Sequence, residues 1–340
     1  MTSIGRIDPV THHPDGTPID PDAPASPEVL RELHADLVRG KRRGVLTSLP
    51  MAMAAIAALV AGGMNPHLFG PFISVGLVGL GAFASEAQEW LALRRANPLT
   101  LQAEEARERL DRQVFEDDFR ARRQGRRPIA TLALAAMITI VTFVEFAQIA
   151  RLSLPPVLMA AALVKPAVRT GEWWRLLTAT YLHGDLMHLL GNMAALVTLG
   201  EMVEAFEGRA RIPFVYLAAA ISGSVCSTLL SGVTSVGASG GILGLAAYLV
   251  VAAGRSHGGA PRLLRARMLR VLGATLVIGI AAFAFIDNAA HLGGALAGAA
   301  LGFLLPRGDE RRERLVSALG ASATIVLAAA ALFTVARLLR

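Results

Sequence analysis

A serine set among small residues, in the run Gly237-Ala238-Ser239-Gly240-Gly241, is the clearest chemical signal in the chain. The run fits the G-x-S-x-G pattern, whose glycines leave a hydroxyl exposed and let a substrate backbone come close. A protonated hydroxyl attacks poorly, so the chemistry needs an imidazole to take the proton and N–H donors for the oxyanion that forms. The chain has 8 histidines, and three stand at the edges of apolar blocks. His183 and His188 lie in the run from Thr180 to Met193, and His291 lies in Asn288-Ala289-Ala290-His291-Leu292-Gly293-Gly294. Asn192 follows His188 by four residues, on the same face of one helix. His291 or His188 can act as base. Asn192 cannot, but its amide can donate to an oxyanion beside the Ser239 backbone N–H. If His188 shares that donor role, His291 is left as the base, and a serine-histidine dyad is the preferred assignment. Asp287, one turn before His291, is either an orienting acid or the mark of the wet end of its helix.

The elements that must position these groups are helices. A water-soluble nucleophile elbow needs a strand before the serine; here a short polar loop precedes it and an apolar helix follows, which excludes an α/β-hydrolase sheet. The apolar blocks run from about 46 to 63, 68 to 87, 129 to 150, 187 to 206, 212 to 230, 242 to 253, 268 to 286, 289 to 305 and 315 to 339. That pattern predicts nine spans, the sixth extended to full length by the uncharged residues from Ala238. Polar side chains entering a span are costly unless they face protein or water, which makes His188, Asn192 and His291 functional suspects. Glycines at 294, 298 and 302 recur every four residues. They give the His291 helix a small face that can press against the helix starting at Ser239.

Charge patterning sets an expected topology. Arginines gather before the first span, between the second and third, after the fourth, between the sixth and seventh, and between the eighth and ninth. These loops alternate, so all fall on one side, which the positive-inside bias makes cytoplasmic, with the N-terminus there too. Ser239, His188 and His291 then all begin spans entered from the outer side. The loop from Arg151 to His183, with Trp173-Trp174-Arg175, falls on that outer side and is expected to lie in the membrane interface.

A chain of 340 residues that is 54% hydrophobic and 17% charged, with mean hydropathy +0.50, has too much apolar surface for one globular core. Its net charge of +7 follows from arginines flanking apolar blocks, so it speaks for topology and against nucleic acid. The single cysteine, Cys226, lies in an apolar run, excluding an intrachain disulfide and a cysteine metal cluster. The first apolar block begins too late for a cleavable signal peptide. Residues 1–45 read as a largely disordered cytoplasmic tail with a short helix over 26–38, and 46–87 as a two-span hairpin. Residues 88–128 read as a cytoplasmic linker whose Leu110, Val114 and Phe119 stripe predicts an amphipathic surface helix, either solvated or bound to a partner or anionic lipid. The core is placed at 129–305 and an additional C-terminal span at 306–340.

On these residues the sequence resembles the rhomboid family of intramembrane serine proteases. The resemblance rests on Trp174-Arg175, His183, His188 to Asn192, Gly237-Ala238-Ser239-Gly240, and Ala290-His291-Leu292-Gly293-Gly294 followed by Gly298, with Glu204 and Gly208 at the far end of the Asn192 helix. It covers about half of the chain, from 129 to 305. It implies an all-α polytopic membrane protein, a six-helix core with two extra N-terminal spans and one extra C-terminal span. By resemblance Ser239 is the nucleophile and His291 the general base. His188, Asn192 and the Ser239 N–H form the oxyanion hole, and Trp174 and Arg175 stabilise the first outer loop. The implied substrates are single-span membrane proteins, met within the lipids of a bacterial inner membrane, with no metal or organic cofactor. A catalytically inactive relative that binds transmembrane helices is the alternative. Leu243, one turn after Ser239, stands where the family often carries an aromatic ring against the base.

Overall fold

The computed structural model describes residues 27–64, 83, 86–87, 89–95, 97, 101–255, 259–281, 286–305 and 310–340. The elements are α1 (Pro27–Met64), α2 (Leu101–Arg123), α3 (Ile129–Leu152), α4 (Leu154–Ala161), α5 (Lys165–Arg169), α6 (Arg175–Thr178) and a 3-10 turn at Ala179–Tyr181. They continue as α7 (Leu186–Glu207), α8 (Arg211–Leu230), α9 (Ser239–Gly254), α10 (Gly259–Ala281), α11 (Asn288–Leu304) and α12 (Glu310–Leu338). Four of these, α3, α7, α8 and α12, are long and apolar enough to cross a bilayer, and α9 and α11 are shorter apolar helices. The protein is therefore an all-α, multi-pass integral membrane protein with further helices outside the membrane.

Local chemistry sets the helix ends. Pro128 precedes α3, where its missing N–H costs nothing. α3 ends at Ser153, a non-glycine residue at φ +77°, and two prolines then open α4. Asp185 caps α7 by accepting from the His188 N–H at 2.9 Å, and Asp287 caps α11 by accepting from the Ala290 N–H at 3.1 Å. Gly208, at φ +94°, closes α7.

α9 is the centre. Most of its residues are buried, enclosed by α7, α8, α10 and α11, so its uniformly apolar sequence faces protein on nearly every side. The other apolar helices turn large side chains outward, among them Phe143, Leu229, Phe303 and Leu332. Such faces are what a hydrocarbon solvent accepts.

Three expectations change. Residues 27–45 belong to α1, which runs unbroken into the expected first span with Pro50 inside it. The expected second span at 68–87 lies almost wholly outside the described residues. In α2, Leu110 and Val114 are exposed at 61% and 46%. The packed face is that of Phe115 and Phe119, which stack on Phe206 of α7 at 5.7 and 6.0 Å. The aromatic contact at the end of α7 set the helix's rotation, and a stripe counted along one segment cannot register it. The arginines at 262, 265, 267 and 270, expected in a loop, lie within α10, where Arg267 sits over the Phe115 ring at 4.5 Å.

Helix α12 is built into the structure. Its Glu313 pairs with Arg211 of α8 through two bonds of 2.7 and 3.0 Å, and its Leu327 carbonyl accepts from the Tyr181 hydroxyl at 2.7 Å.

Candidate active site

Ser239 opens α9 and His291 lies in the first turn of α11. Their side chains meet across the two helices, His291 Nε2 standing 2.8 Å from Ser239 Oγ. The meeting depends on how closely α9 and α11 pack. A Cβ added at Gly294 would drive into the Gly240 carbonyl, one at Gly298 into the Gly244 carbonyl, and one at Gly302 would stand 2.8 Å from the Tyr248 oxygen. The glycine face expected from the sequence thus lies against the serine helix, backbone on backbone. Gly240 is part of the same seam, 3.3 Å from the Ala290 carbonyl if a Cβ is added.

His188 and Asn192 come from α7 and line the same cavity of about 380 Å³ as Ser239 and His291. Asn192 spends one N–H on the His188 carbonyl at 3.1 Å, which leaves a second for a ligand. His188 Nδ1 lies 2.9 Å from the His183 carbonyl. A carbonyl only accepts, so Nδ1 carries a proton, and in the neutral ring Nε2 presents a lone pair. Gly237 adopts φ +127°, and a Cβ there would stand 2.9 Å from His188 Cε1 and Nε2. Both the backbone angle and the space require glycine. Being at the start of α9, Ser239 also offers a backbone N–H with no acceptor inside its helix.

Asp287 does not orient His291. The buried Nδ1 of His291 has no hydrogen-bond partner among the described residues, and the Asp287 carboxylate is occupied elsewhere. It accepts from the hydroxyls of Ser227 and Ser235 and lies 3.5 Å from Lys165 Nζ. Lys165, on α5 in the segment between α3 and α7, is 1% exposed and also reaches the Val233 carbonyl and the Ser235 hydroxyl. Burial alone would raise the Asp287 pKa, but the serine hydroxyls, the Ala290 N–H and Lys165 hold it below the ordinary carboxylate value. Burial pushes Lys165 below the ordinary lysine value despite its partner. This cluster joins the first loop, the segment before Ser239 and the start of the His291 helix. That segment is held further by the Leu163–Ser235 bridge and by the Gly237 N–H on the Ala179 carbonyl at 3.0 Å.

Replacing Lys165 with methionine removes the cation beside a mostly buried carboxylate that keeps its hydroxyl and N–H donors, and should lower stability by about 1–3 kcal/mol. Thermal unfolding in detergent checks this, and an unchanged midpoint would mean that the pair is idle. A carboxylate whose folded pKa is depressed contributes stability above its unfolded pKa of about 3.9 and loses it as pH falls through the folded value. The Lys165→Met deficit should therefore shrink in acid below about pH 4.

The remaining residues singled out in the sequence do not line the cavity. His183 is buried behind His188, ring centroids 5.1 Å apart, with Nδ1 3.0 Å from the Thr142 hydroxyl. Trp174 carries Arg175 and Arg337 over its ring at 4.4 and 4.7 Å and meets Phe333 of α12 edge-on. Arg175 donates to Glu172 and to the Ala162 carbonyl, tying the first loop together. At the other end of α7, Glu204 accepts from the Thr131 N–H and hydroxyl, both at 2.7 Å, joining α7 to α3. Leu243 is buried, and no aromatic ring pairs with His291 among the described residues.

Glu145 was missed. Fully buried in α3, it accepts from the backbone N–H groups of His183 and Gly184 at 2.9 and 3.0 Å, fixing the turn that launches α7. A carboxylate inside an apolar span was the available signal.

Comparison with known proteins places this site in context. The family model described as the Rhomboid domain matches residues 170–308. The chain is 40% identical over 163 residues to the rhomboid protease GluP of Bacillus subtilis, covering 44% of this chain and 30% of that protein. It is 34% identical over 156 residues to RHOMBOID-like protein 5 of Arabidopsis thaliana, covering 45% and 50%. With YdcA, also of Bacillus subtilis and named for the rhomboid proteases, identity is 32% over 156 residues, covering 43% of this chain and 73% of that protein. The chain thus spans half or less of the first two relatives and nearly three quarters of the third.

Proposed function

The chain belongs to the rhomboid family of intramembrane serine proteases, and on that premise we propose that it hydrolyses peptide bonds of transmembrane substrates with Ser239 as nucleophile and His291 as general base. The observation that carries this reading is the 2.8 Å contact between His291 Nε2 and Ser239 Oγ in a cavity of membrane-embedded helices. A near-attack arrangement needs this reach.

In the proposed cycle, His291 with its proton on Nδ1 accepts the hydroxyl proton at Nε2 while Oγ bonds to the scissile carbonyl carbon. The imidazolium then returns that proton to the departing amine, leaving an acyl-enzyme. Water, deprotonated by the same imidazole, attacks the acyl carbon and releases Ser239. The oxyanion formed in each half is met by the Ser239 N–H at the positive end of α9 and by the free N–H of Asn192. His188 joins them from Nε2 only when its ring carries both protons.

This division of labour is testable. Asn192→Ala should lower kcat by about 10²–10³ at every pH, the usual cost of one oxyanion donor. His188→Gln, which restores a neutral N–H donor, should lose least at the alkaline end. If His188→Gln falls as steeply as Asn192→Ala across the pH range, His188 donates to the oxyanion in its ordinary state.

The finer architecture belongs to the same proposal. Helices α3, α7, α8, α9, α10 and α11 form a six-helix core over 129–305, with two N-terminal spans over 46–87 and α12 added behind it. Arginine distribution supports a cytoplasmic N-terminus and 88–128 as a cytoplasmic segment, and a bacterial inner membrane suits the Bacillus relatives. Substrates are single-span proteins entering the cavity within the bilayer. The deciding assay is cleavage of a model transmembrane substrate in liposomes. A folded protein inert to substrates and to serine-directed fluorophosphonates would point to a helix-binding, inactive relative.

A further inference from the structure

At the end of α7 opposite His188 lies a second cavity, of about 490 Å³. Arg122, Arg123, Arg126, Arg127 and Arg209 line it. Its two carboxylates are engaged: Glu201 takes Arg123 at 3.0 Å, and Glu204 accepts from Thr131. Arg122 is held by Asp118 at 2.7 Å. Arg126, Arg127 and Arg209 make no ion pair among the described residues.

Local backbone explains the convergence. Gly125, at φ +72°, reverses the chain after α2, and Pro128, three residues later, is the N-cap of α3. Gly208, at φ +94°, reverses it after α7, placing Arg209 on the same rim. α2 is held there by the Phe115–Phe206 stack and by Arg122 over the Phe206 ring at 5.2 Å. A solvated, positive-inside linker requires arginines but no such docked cavity. Like charges brought together in this way repel unless an anion offsets them.

We propose that this cavity binds the phosphate group of an anionic phospholipid. Guanidinium forks match phosphate oxygens in pairs, and three of the arginines lining the cavity make no ion pair among the described residues. The depth is that of headgroups. Ile129 lines the cavity and opens the apolar α3 while 59% exposed, and Leu132, in the same turn, is 47% exposed. The arginines thus stand where the apolar helix face ends, the level at which phosphates lie and acyl chains begin. A soluble phosphate ester shares the recognition chemistry but has no use for the apolar wall. The site is independent of the proteolytic reading, since none of its residues lines the Ser239 cavity.

The test uses the full chain in neutral detergent, titrated separately with phosphatidylglycerol, phosphatidylcholine and inorganic phosphate. Retained lipid is read by native mass spectrometry and the unfolding midpoint by thermal scan. Phosphatidylglycerol should be retained at one equivalent and raise the midpoint by several degrees, with phosphatidylcholine doing neither. Substituting R126Q, R127Q and R209Q together should weaken phosphatidylglycerol retention at least tenfold. The matched loss of three charges in R31Q, R42Q and R43Q, exposed on α1, should leave it intact. Equal weakening in both triple variants would mean diffuse surface attraction and overturn the site, as would unaltered retention in the first. Inorganic phosphate that saturates the cavity and displaces the lipid would overturn the lipid assignment in favour of a soluble phosphate. Circular dichroism of each variant separates lost binding from lost fold.

Discussion

Ser239→Ala and His291→Ala should each all but abolish cleavage of a transmembrane substrate, with kcat falling on the order of 10⁴ to 10⁶-fold, and the double variant should fall little further. Groups that act as one unit are not additive, because removing either leaves the other without a proton to give or take. The effect should be purely catalytic. Ser239 and His291 make their recorded side-chain bond to each other, so truncation leaves the α9–α11 glycine seam untouched and the unfolding midpoint near that of the parent. A fluorophosphonate probe adds a second reading. Labelling at Ser239 should vanish in His291→Ala although the hydroxyl remains, since the probe also needs an activated nucleophile. Wild-type cleavage rates in both variants would remove the proposed mechanism, whatever the family membership.

Gly294→Ala should be among the most damaging single-methyl changes, because the clash falls one turn from His291. Its Cβ has nowhere to go but into the Gly240 carbonyl, so α11 must shift away from α9. A displacement of about 1 Å in the reacting pair costs on the order of 10²-fold in rate. Membrane helices packed backbone to backbone also lose van der Waals and weak C–H···O contacts on separation. Both cleavage and the unfolding midpoint should therefore fall. Gly273→Ala on α10 supplies the contrast, because a Cβ there meets nothing within 4 Å among the described residues. It should leave activity unchanged and add up to about 1 kcal/mol of helix propensity. If Gly294→Ala cleaves as well as Gly273→Ala, the glycine seam does not set the distance between Ser239 and His291.

The core helices were legible in the sequence because hydrocarbon leaves a chain few choices. A stretch of about twenty apolar residues without charges must satisfy its backbone internally, and the helix is the form that does so. α3, α7, α8, α11 and α12 accordingly begin and end within a few residues of the apolar blocks. The reactive groups were legible for the same reason. A histidine, an asparagine or a serine flanked by glycines stands out against an apolar background, where each has a cost and needs a use. Glu145 was equally visible by that rule and was overlooked.

Partnership between groups was decided by tertiary structure alone. Type and spacing left Asp287 open as an orienting acid; packing turned its carboxylate to Ser227, Ser235 and Lys165, residues 52 to 122 positions away in sequence. The same holds for the proton on His188, which the His183 carbonyl assigns, and for the rotation of α2, set by Phe206. The apolar solvent acts on each segment independently, so its demands are written along the chain. A hydrogen bond or an aromatic contact depends on two remote segments at once, and its geometry exists only after the helices have packed.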